Sequence, residues 1–466
     1  MKKFWSLIIF FIVLIGVIIS IYSCTYVKYD STIINNKFLY EESITNEIVE
    51  SEYYYSDLYF SNESSKENEH LRTFSFALAL SFTPTYAEDN INKYIQDIFD
   101  GIGLKDSKYY DDEIITKDTI GTALAHKKLN KDYELVVLVL RGSNYEDEWL
   151  SNFDIGSDGN AKGFNDSAKL VLDRLNSYLE DNNIDKYKLL ITGYSRGGAI
   201  ANIVGVTLND ETSYHINQDD LYVYTFDAAR GSNNNKVYNN IHNIINKNDI
   251  VTYLYPEQIN IYNNGNIIDI TDNSRTLKVK CLNLFGDDSK DYGIVNKKEF
   301  ISNFVNSLPS NREEYVTTLK ALSNFYTLLN NKSEEEVNEL FNYFKNNVED
   351  DISIVDIISM LSLGSNKKLK NVYSKLISKY DSNYDSIKDI ITKEEYDTLK
   401  EDINIIFKFF LPMIKKDLSY KLNGDTCSMY NTLTFISNID EIVKEHIFSN
   451  NFELVKSMDS YYTKGN

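Results

Sequence analysis

Two kinds of apolar pattern alternate along the middle of the chain. Uninterrupted runs, ELVVLVL at residues 134–140 and YKLLIT at residues 187–192, cannot alternate between two faces, so they predict strands covered on both sides. Between them, residues 163–181 place apolar side chains such as Ala168 and Val171 at helical spacing. Because strand and helix alternate, the sequence predicts an α/β fold with a mostly parallel central sheet flanked by helices.

The N-terminus has a pattern of its own. Lys2 and Lys3 precede an uncharged stretch at residues 4–27, which as a helix is long enough to cross a bilayer core of about 30 Å. We therefore interpret residues 1–24 as a signal peptide or membrane anchor that exports the chain to the outer face of a bacterial cell membrane. Cys24, after Ile-Tyr-Ser, fits a lipoprotein cleavage box and would carry the lipid anchor; an uncleaved signal anchor is the alternative.

Further boundaries follow from composition. The sequence predicts a tether over the polar, tyrosine-rich residues 25–66. It predicts a core over residues 67–293 and a C-terminal segment over residues 441–466 that completes this core. Between them, residues 294–440 contain successive amphipathic patterns and predict a helical insertion. An ordinary helical subdomain and a cap over the active site are both compatible with this pattern.

Charge and cysteine content narrow the possibilities. The 466 residues carry a formal net charge of -21, which argues against nucleic acid as a partner and against electrostatic binding to an anionic membrane. Hydrophobic residues make up 42% of the chain, which is enough to form a folded core and excludes a disordered protein. If Cys24 is lipidated, Cys281 and Cys427 remain, and export permits either a disulfide between them or two free thiols.

One stretch carries the candidate chemistry. In KLLITGYSRGGAIANIVGVTL, residues 188–208, Ser195 stands between Gly193 and Gly197, after an apolar strand pattern and before a helical one. A turn this tight requires very small residues two positions before and two after the serine. It also strains the serine backbone and directs the N-terminal amides of the next helix toward the hydroxyl. The flanks thus favour a nucleophile elbow over an incidental serine in a glycine-rich turn.

A serine nucleophile requires a base, and the chain offers five histidines: His70, His126, His215, His242 and His446. Sites built on this elbow place the acid and then the histidine after the serine in the chain. His446 alone leaves ample room for an acid between Ser195 and itself, so we predict it as the base by elimination. A surface histidine near the start of the last helix is the alternative.

Two aspartates follow predicted strands in the right interval. Asp249, in HNIINKNDIV, comes after an apolar strand, where its carboxylate could orient an imidazole ring. Asp227, at the end of the strand LYVYTF, is the alternative acid. We favour Asp249.

Residues from about 119 to 256 resemble the class 3 lipases of the α/β-hydrolase superfamily. The resemblance is carried by four motifs in order: VVLVLRGSNYEDEWL, KGFNDSA, ITGYSRGGAIAN, and VYTFDAAR with NKNDIV. It implies Ser195 as nucleophile, Asp249 as acid and His446 as base. It also implies an oxyanion site formed by Ser143 and the backbone amide of Arg196.

The chain departs from the family at three positions near these motifs. Tyr194 and Ala161 stand where the family commonly has histidine, and Asp227 stands where it commonly has glycine. None of these changes removes a catalytic group. An extra carboxylate at position 227 would, however, perturb the pKa of the base.

We therefore expect a serine hydrolase of carboxylic esters, a lipase or phospholipase, with a lipid or other ester as substrate and with no metal or organic cofactor. A peptidase or thioesterase could use the same residues. A catalytically inactive surface binding protein on a hydrolase fold is the alternative from another class, although it would not explain why the serine, acid and histidine are kept together. If the insertion is a cap, apolar side chains from residues 300–420 should lie near Ser195.

Overall fold

The computed structural model describes residues 29–42, 47–82, 92–110, 118–143, 148, 151–152, 154–281, 290–307, 311–333, 335–340, 343, 384–403, 405 and 438–463. The predicted signal peptide or anchor at residues 1–24, Cys24 and Cys427 lie outside these residues. Among the helices that the structure does describe, none has both the length and the apolar character needed to cross a membrane.

A seven-stranded sheet forms the centre of the fold. Its strands run in the spatial order β3-β4-β5-β6-β7-β8-β9, where β4 is antiparallel to both of its neighbours and β5 to β9 are parallel. The strands are β3 (Lys105–Tyr110), β4 (Thr122–Lys128), β5 (Glu134–Leu140), β6 (Tyr187–Tyr194), β7 (Leu221–Phe226), β8 (Ile241–Ile245) and β9 (Asn266–Asp269). The prediction of an α/β fold with a mostly parallel central sheet is confirmed.

The two faces of this sheet are covered by different layers. On β5, Val136 and Leu138 belong to one core cluster, whereas Leu135 and Val137 belong to the other, and all four are fully buried. This is why the strand sequence is apolar without interruption. The covering helices are α1 (Glu69–Ser81) and α2 (Lys93–Gly101) on one face, and α3 (Lys162–Asp181) and α4 (Arg196–Asp210) on the other.

The predicted tether at residues 25–66 is wrong over much of its length. It contains the antiparallel hairpin of β1 (Ile34–Glu41) and β2 (Ile48–Tyr55), followed by a 3₁₀ turn. Phe38 and Tyr53 of this hairpin are buried in the core cluster that covers α1. The buried positions are largely tyrosines, namely Tyr40, Tyr53 and Tyr55, within a segment rich in tyrosine throughout, so its sequence did not indicate strands.

After the sheet come a second hairpin and the helical insertion. The hairpin pairs β10 (Thr276–Cys281) with β11 (Lys290–Asn296), and α5 (Lys297–Ser307) and α6 (Arg312–Asn330) follow. Residues 335–340 and 393–403 are also helical. An additional helical region is therefore present, although much of residues 294–440 lies outside the described ranges.

The C-terminal segment packs back on the core. It consists of α7 (Ile439–Val443), a 3₁₀ turn (Lys444–His446), α8 (Phe448–Ser457) and α9 (Ser460–Thr463). Phe452 of α8 contacts Phe76 of α1 and Phe38 of β1, with ring centroids 5.5 Å and 5.9 Å apart. This docking places the turn with His446 beside the carboxyl ends of the parallel strands.

Candidate active site

Ser195 lies at a sharp turn between β6 and α4. Its φ is 55° and its ψ is -122°, a backbone conformation that residues other than glycine adopt rarely because it is strained. The backbone amide of Ser195 donates to the carbonyl of Phe226 on the neighbouring strand at 2.9 Å, which ties the turn to the sheet. The strained elbow that the sequence predicted is present.

The glycines on either side of the serine are required by close backbone approach. A Cβ atom at Gly193 would lie 2.5 Å from the carbonyl carbon of Gly197, and one at Gly197 would lie 2.3 Å from the carbonyl oxygen of Leu140. Real Cβ atoms do not come this close to backbone. The two glycines therefore allow strand, turn and helix to pack directly against one another.

The structure brings Ser195, His446 and Asp249 together. His446 Nε2 lies 2.8 Å from Ser195 Oγ, and His446 Nδ1 lies 2.5 Å from Asp249 Oδ2. In the tautomer that satisfies both contacts, Nδ1–H donates to the carboxylate and Nε2 accepts from the serine hydroxyl. This is the hydrogen-bonded order that acyl transfer by a serine requires.

Asp249 is held in place by the turn that it begins. Its Oδ1 accepts from the amide of Val251 at 2.9 Å and so caps the 3₁₀ turn Ile250–Tyr253. The residue is fully buried. One oxygen of the Asp249 carboxylate is thus fixed by the backbone, while the other contacts the imidazole of His446.

Asp227, the alternative acid, has a different place. It is fully buried, with a φ of 44°, and its Oδ1 accepts from the amide of Asn246 at 2.7 Å. No hydrogen-bond partner of its Oδ2 is found among the described residues. Burial, with a further contribution from the Asp249 carboxylate, raises the pKa of Asp227 well above its ordinary value. The contact with His446 is made by Asp249, not by Asp227.

Three of the other four histidines have side-chain hydrogen-bond partners away from the serine, and the fourth, His215, lies at the end of a turn. His70 bonds Asp459, His126 bonds the Tyr178 hydroxyl, His242 bonds the carbonyl of Ser64, and His215 ends a 3₁₀ turn. Burial lowers the pKa of both His126 and His242, which favours their neutral forms.

The predicted oxyanion residues flank the elbow. A Cβ on Gly142 would lie 3.9 Å from Ser195 Cβ, so the loop after β5 runs alongside the serine, and Ser143 is the next residue. Ser143 Oγ accepts from the side-chain amide of Asn152 at 3.0 Å, which leaves its hydroxyl hydrogen to donate elsewhere. Arg196 is the first residue of α4. Both predicted donors are therefore on segments next to Ser195.

Buried ionic groups support these two segments. Arg141 and Glu148 form an ion pair at 3.1 Å, and neither side chain has exposed surface. The buried Arg196 guanidinium donates to Asn152 Oδ1 at 2.7 Å and Ser151 Oγ at 3.1 Å, and burial lowers its pKa to about 10. Glu148, which lies in the first of the four sequence motifs, thus pairs with Arg141, two residues before Ser143.

The sequence did not reveal which residues hold the histidine turn. The Tyr194 hydroxyl donates to the backbone carbonyl of His446 at 2.6 Å, and the carboxylate of Glu445 contacts Asn246, Arg275 and Lys297. These contacts span more than a hundred residues of chain, so no local pattern indicated them.

Part of the helical insertion packs beside the site. Phe300, Ile301 and Phe304 of α5 form a cluster with Ile442 of α7 and Ile250 of the turn after Asp249. The Tyr315 hydroxyl of α6 donates to the carbonyl of Leu254 at 2.6 Å. The insertion thus contacts the loop with Asp249 and the segment with His446. Whether it also covers Ser195 stays a prediction, because residues 344–383 and 406–437 lie outside the described ranges.

One cluster in the described part of the chain has ligand types suited to a metal ion. Side-chain ligand atoms of Glu69, His70 and Asp459 lie within 4.8 Å of one another. They already bond to protein groups: His70 Nδ1 lies 2.7 Å from Asp459, and Glu69 Oε1 accepts from the Ser460 hydroxyl at 2.6 Å. The cluster joins α1 to α9 and is separate from Ser195.

Comparison with known proteins bears on the region just described. Residues 137–259 match the family described as Lipase (class 3), and this segment includes the elbow, Asp227 and Asp249. Solved structures with similar folds include a Rhizomucor miehei lipase–propeptide complex, with 22% identity over 45% of this chain and 69% of the other and a TM-score of 0.34. They also include a mutant form of the MDLA protein of Penicillium cyclopium, with 20% identity over 50% and 89% of the two chains and a TM-score of 0.34. A fungal lipase–inhibitor complex is similar at 22% identity over 43% and 80%, with a TM-score of 0.31. Residues 137–259, which contain the elbow, are therefore similar to the class 3 lipases, and this match supports a lipase-like hydrolase.

Proposed function

We propose that this protein is an exported, membrane-tethered serine hydrolase that cleaves carboxylic esters of lipids. The observation that carries the proposal is the continuous set of contacts from Ser195 Oγ through the His446 ring to Asp249, at 2.8 Å and 2.5 Å. The strained elbow and the match to the class 3 lipase family support it.

In the proposed reaction, Ser195 Oγ attacks the ester carbonyl carbon while His446 Nε2 accepts the hydroxyl proton. Asp249 holds the ring and stabilises its charged form. The tetrahedral oxyanion accepts hydrogen bonds from the Ser143 hydroxyl and the Arg196 amide, each contributing about 3 to 4 kcal/mol to transition-state stabilisation.

Collapse of this intermediate breaks the ester bond, and the leaving alcohol takes the proton from His446. Water then attacks the acyl-enzyme by the same route, with His446 as general base, and releases the carboxylic acid and Ser195. Every proton in this cycle is moved by a residue of the chain.

A lipid substrate is supported by the family match and by the apolar face of α5 in the insertion, which contacts the segments of Asp249 and His446. Burying an acyl chain against such a surface gains about 0.8 kcal/mol per methylene group. We therefore expect activity to rise with acyl length until the pocket is full.

The test uses the full chain in detergent micelles, assayed on p-nitrophenyl esters from acetyl to long acyl chains, with Ser195→Ala as the matched variant. We expect hydrolysis that increases with chain length and is lost in Ser195→Ala. Activity that survives in the variant would reject Ser195 as the nucleophile. Turnover of amide or thioester analogues in preference to the esters would favour a peptidase or thioesterase instead.

Export and tethering rest on Lys2, Lys3, the uncharged residues 4–27 and Cys24. We expect the protein in the membrane fraction, accessible to protease from outside the cell. Incorporation of labelled palmitate that is lost in Cys24→Ser identifies a lipoprotein, whereas membrane retention without label identifies an uncleaved anchor. Recovery of the protein in the soluble cell fraction would reject both.

A further inference from the structure

We propose that Glu445 is a positioning residue for His446, and that it ties the first helix of the helical insertion to the catalytic base. The inference rests on the proposed function, since it assigns a part in the same reaction. Glu445 directly precedes His446 in the 3₁₀ turn Lys444–His446. Its side chain therefore controls the backbone from which the imidazole extends.

Three segments of the chain converge on the Glu445 carboxylate. Oε2 accepts from Asn246 Nδ2 at 3.0 Å and from Arg275 Nη1 at 2.9 Å, and Oε1 accepts from Lys297 Nζ at 2.8 Å. Glu445 is 5% exposed, so these bonds are shielded from competing water. A carboxylate with three donors on fixed elements has little freedom to move.

Asn246 connects this carboxylate to the loop that holds the acid. Its carbonyl accepts from the amide of Asp249 at 2.9 Å, while its side-chain amide donates to both Glu445 and Asn451 Oδ1. Asn451 in turn donates to the backbone carbonyl of Glu445 at 2.9 Å. The turn with the base and the loop with the acid are thus joined through one asparagine.

The ionised form of Glu445 is the one that these contacts require. Burial raises the pKa of the carboxyl, but the hydrogen bond and charge of Lys297, with help from Asn246 and Arg275, outweigh burial and lower it. Burying an unpaired carboxylate costs free energy, so the ionised form of Glu445 is stable in this position only while its partners are present.

Lys297 gives the network its connection to the insertion. It is the first residue of α5, and the apolar face of that helix packs on Ile442 of α7, directly before the histidine turn. A displacement of α5 would therefore act on His446 by two routes, the ion pair and the apolar contact. The placement of the insertion and the placement of the base are coupled.

The experiment compares Glu445→Gln with Glu453→Gln in the full chain. Glu453 lies close by on α8, but its side chain is 66% exposed and it pairs with Lys456 one turn further on. Glu453→Gln therefore removes the same charge without removing any contact described for Glu445. Two rates are measured: hydrolysis of p-nitrophenyl butyrate, and covalent labelling of Ser195 by a fluorophosphonate, which depends on the base but not on the natural substrate.

We expect Glu445→Gln to lower kcat and the labelling rate by about 10-fold with KM changed less than about twofold, because a small misplacement of a catalytic group affects the chemical step rather than binding. Glu453→Gln should match the wild type. Arg275→Gln provides a second, milder variant, since its side chain is 28% exposed and its loss leaves Lys297 in place; we expect a decrease of about 2- to 5-fold in the same two rates.

Wild-type kcat and labelling rate in folded Glu445→Gln would overturn the positioning role, as would a change in KM alone. Should Glu445→Gln fail to fold, unchanged rates in Arg275→Gln would overturn it equally. A wild-type protein that neither hydrolyses esters nor reacts with the fluorophosphonate would overturn the proposed function itself, and this inference with it.

Discussion

The hydroxyl of Tyr194 donates a hydrogen bond of 2.6 Å to the backbone carbonyl of His446, so the residue before the elbow serine holds the backbone of the histidine. The two rings also contact each other, with centroids 5.1 Å apart. Tyr194 is 5% exposed and stacks on Phe76 of α1. One side chain thus links the elbow, the histidine turn and α1.

Tyr194→Phe removes only this hydroxyl. We expect it to lower the free energy of unfolding by about 1 to 2 kcal/mol, because a partly buried carbonyl loses its donor, and to lower kcat several-fold with little change in KM. Tyr178→Phe is the control, since its buried hydroxyl donates to the carbonyl of Asp106 at 2.9 Å away from the site. Equal losses of kcat in the two variants would show that Tyr194 acts through stability alone.

The two candidate acids are separated by a matched pair of substitutions. We expect Asp249→Asn to lower kcat by about 10⁴-fold, because an amide at this position favours the wrong tautomer of the imidazole. Asp227→Asn should cost less than about 10-fold, because the asparagine oxygen can still accept from the Asn246 amide. The reverse order of effects in steady-state kinetics would transfer the acid role to Asp227.

Asp227 also predicts a pH dependence of stability. Burial and the Asp249 carboxylate raise the pKa of Asp227 in the folded protein, whereas the unfolded chain loses this proton near the ordinary value of about 3.9. Between these two pKa values the folded state binds more protons than the unfolded state, so the contribution of Asp227 to the free energy of unfolding falls as the pH rises. Above the pKa of the folded state this contribution is constant.

Asparagine at position 227 does not titrate, so Asp227→Asn should remove this contribution to the pH dependence of stability. We expect the stability of Asp227→Asn, relative to the wild type, to increase with pH above about 4 and to level off once the folded carboxyl ionises. Urea denaturation of both proteins across this range measures the difference. A difference that is independent of pH would contradict the raised pKa.

The elbow glycines can be tested by added methyl groups. Gly197→Ala would place a Cβ 2.3 Å from the carbonyl oxygen of Leu140, whereas Gly142→Ala would meet nothing nearer than 3.5 Å. We expect Gly197→Ala to be severely destabilised or insoluble. The free energy of unfolding of Gly142→Ala should differ from that of the wild type by less than about 1 kcal/mol, because its added methyl group causes no clash. Thermal melts of both variants check this, and equal melting temperatures would contradict the packing.

Glu148 balances buried positive charge beside the predicted oxyanion loop. Removing one partner of a buried ion pair leaves an uncompensated charge, so Glu148→Gln should cost about 3 to 5 kcal/mol of stability. Glu134→Gln is the control, because its partner Lys128 is 62% exposed and such surface pairs contribute about 0 to 1 kcal/mol. Comparable small losses in both variants would mean that Arg141 is neutralised by other groups.

Local features of the fold followed from the sequence. The six apolar residues 135–140 indicated a doubly covered strand, because a strand with both faces buried has no polar position. The glycines around Ser195 indicated the elbow, because only a residue without a side chain fits where three backbone segments meet. Such steric and periodic constraints act within a few residues, so they leave a readable pattern.

The pairing of distant residues was predicted only in outline. His446 and Ser195 are separated by 251 positions, and elimination among five histidines named the pair without giving any reason for their contact. The hairpin of β1 and β2 was missed, because tyrosines that point inward look no different in sequence from tyrosines that face solvent.

The sequence by itself determined the α/β core and the elbow with its serine, through apolar periodicity and backbone sterics. Only the tertiary structure decided that Asp249 rather than Asp227 contacts His446, and that Tyr194 and Glu445 hold the histidine turn. The physical reason is that both aspartates end strands at the same edge of the sheet, so their local patterns are equivalent. What distinguishes them is the docking of α7 and α8, which brings the ring to one carboxylate and leaves the other buried against the Asn246 amide.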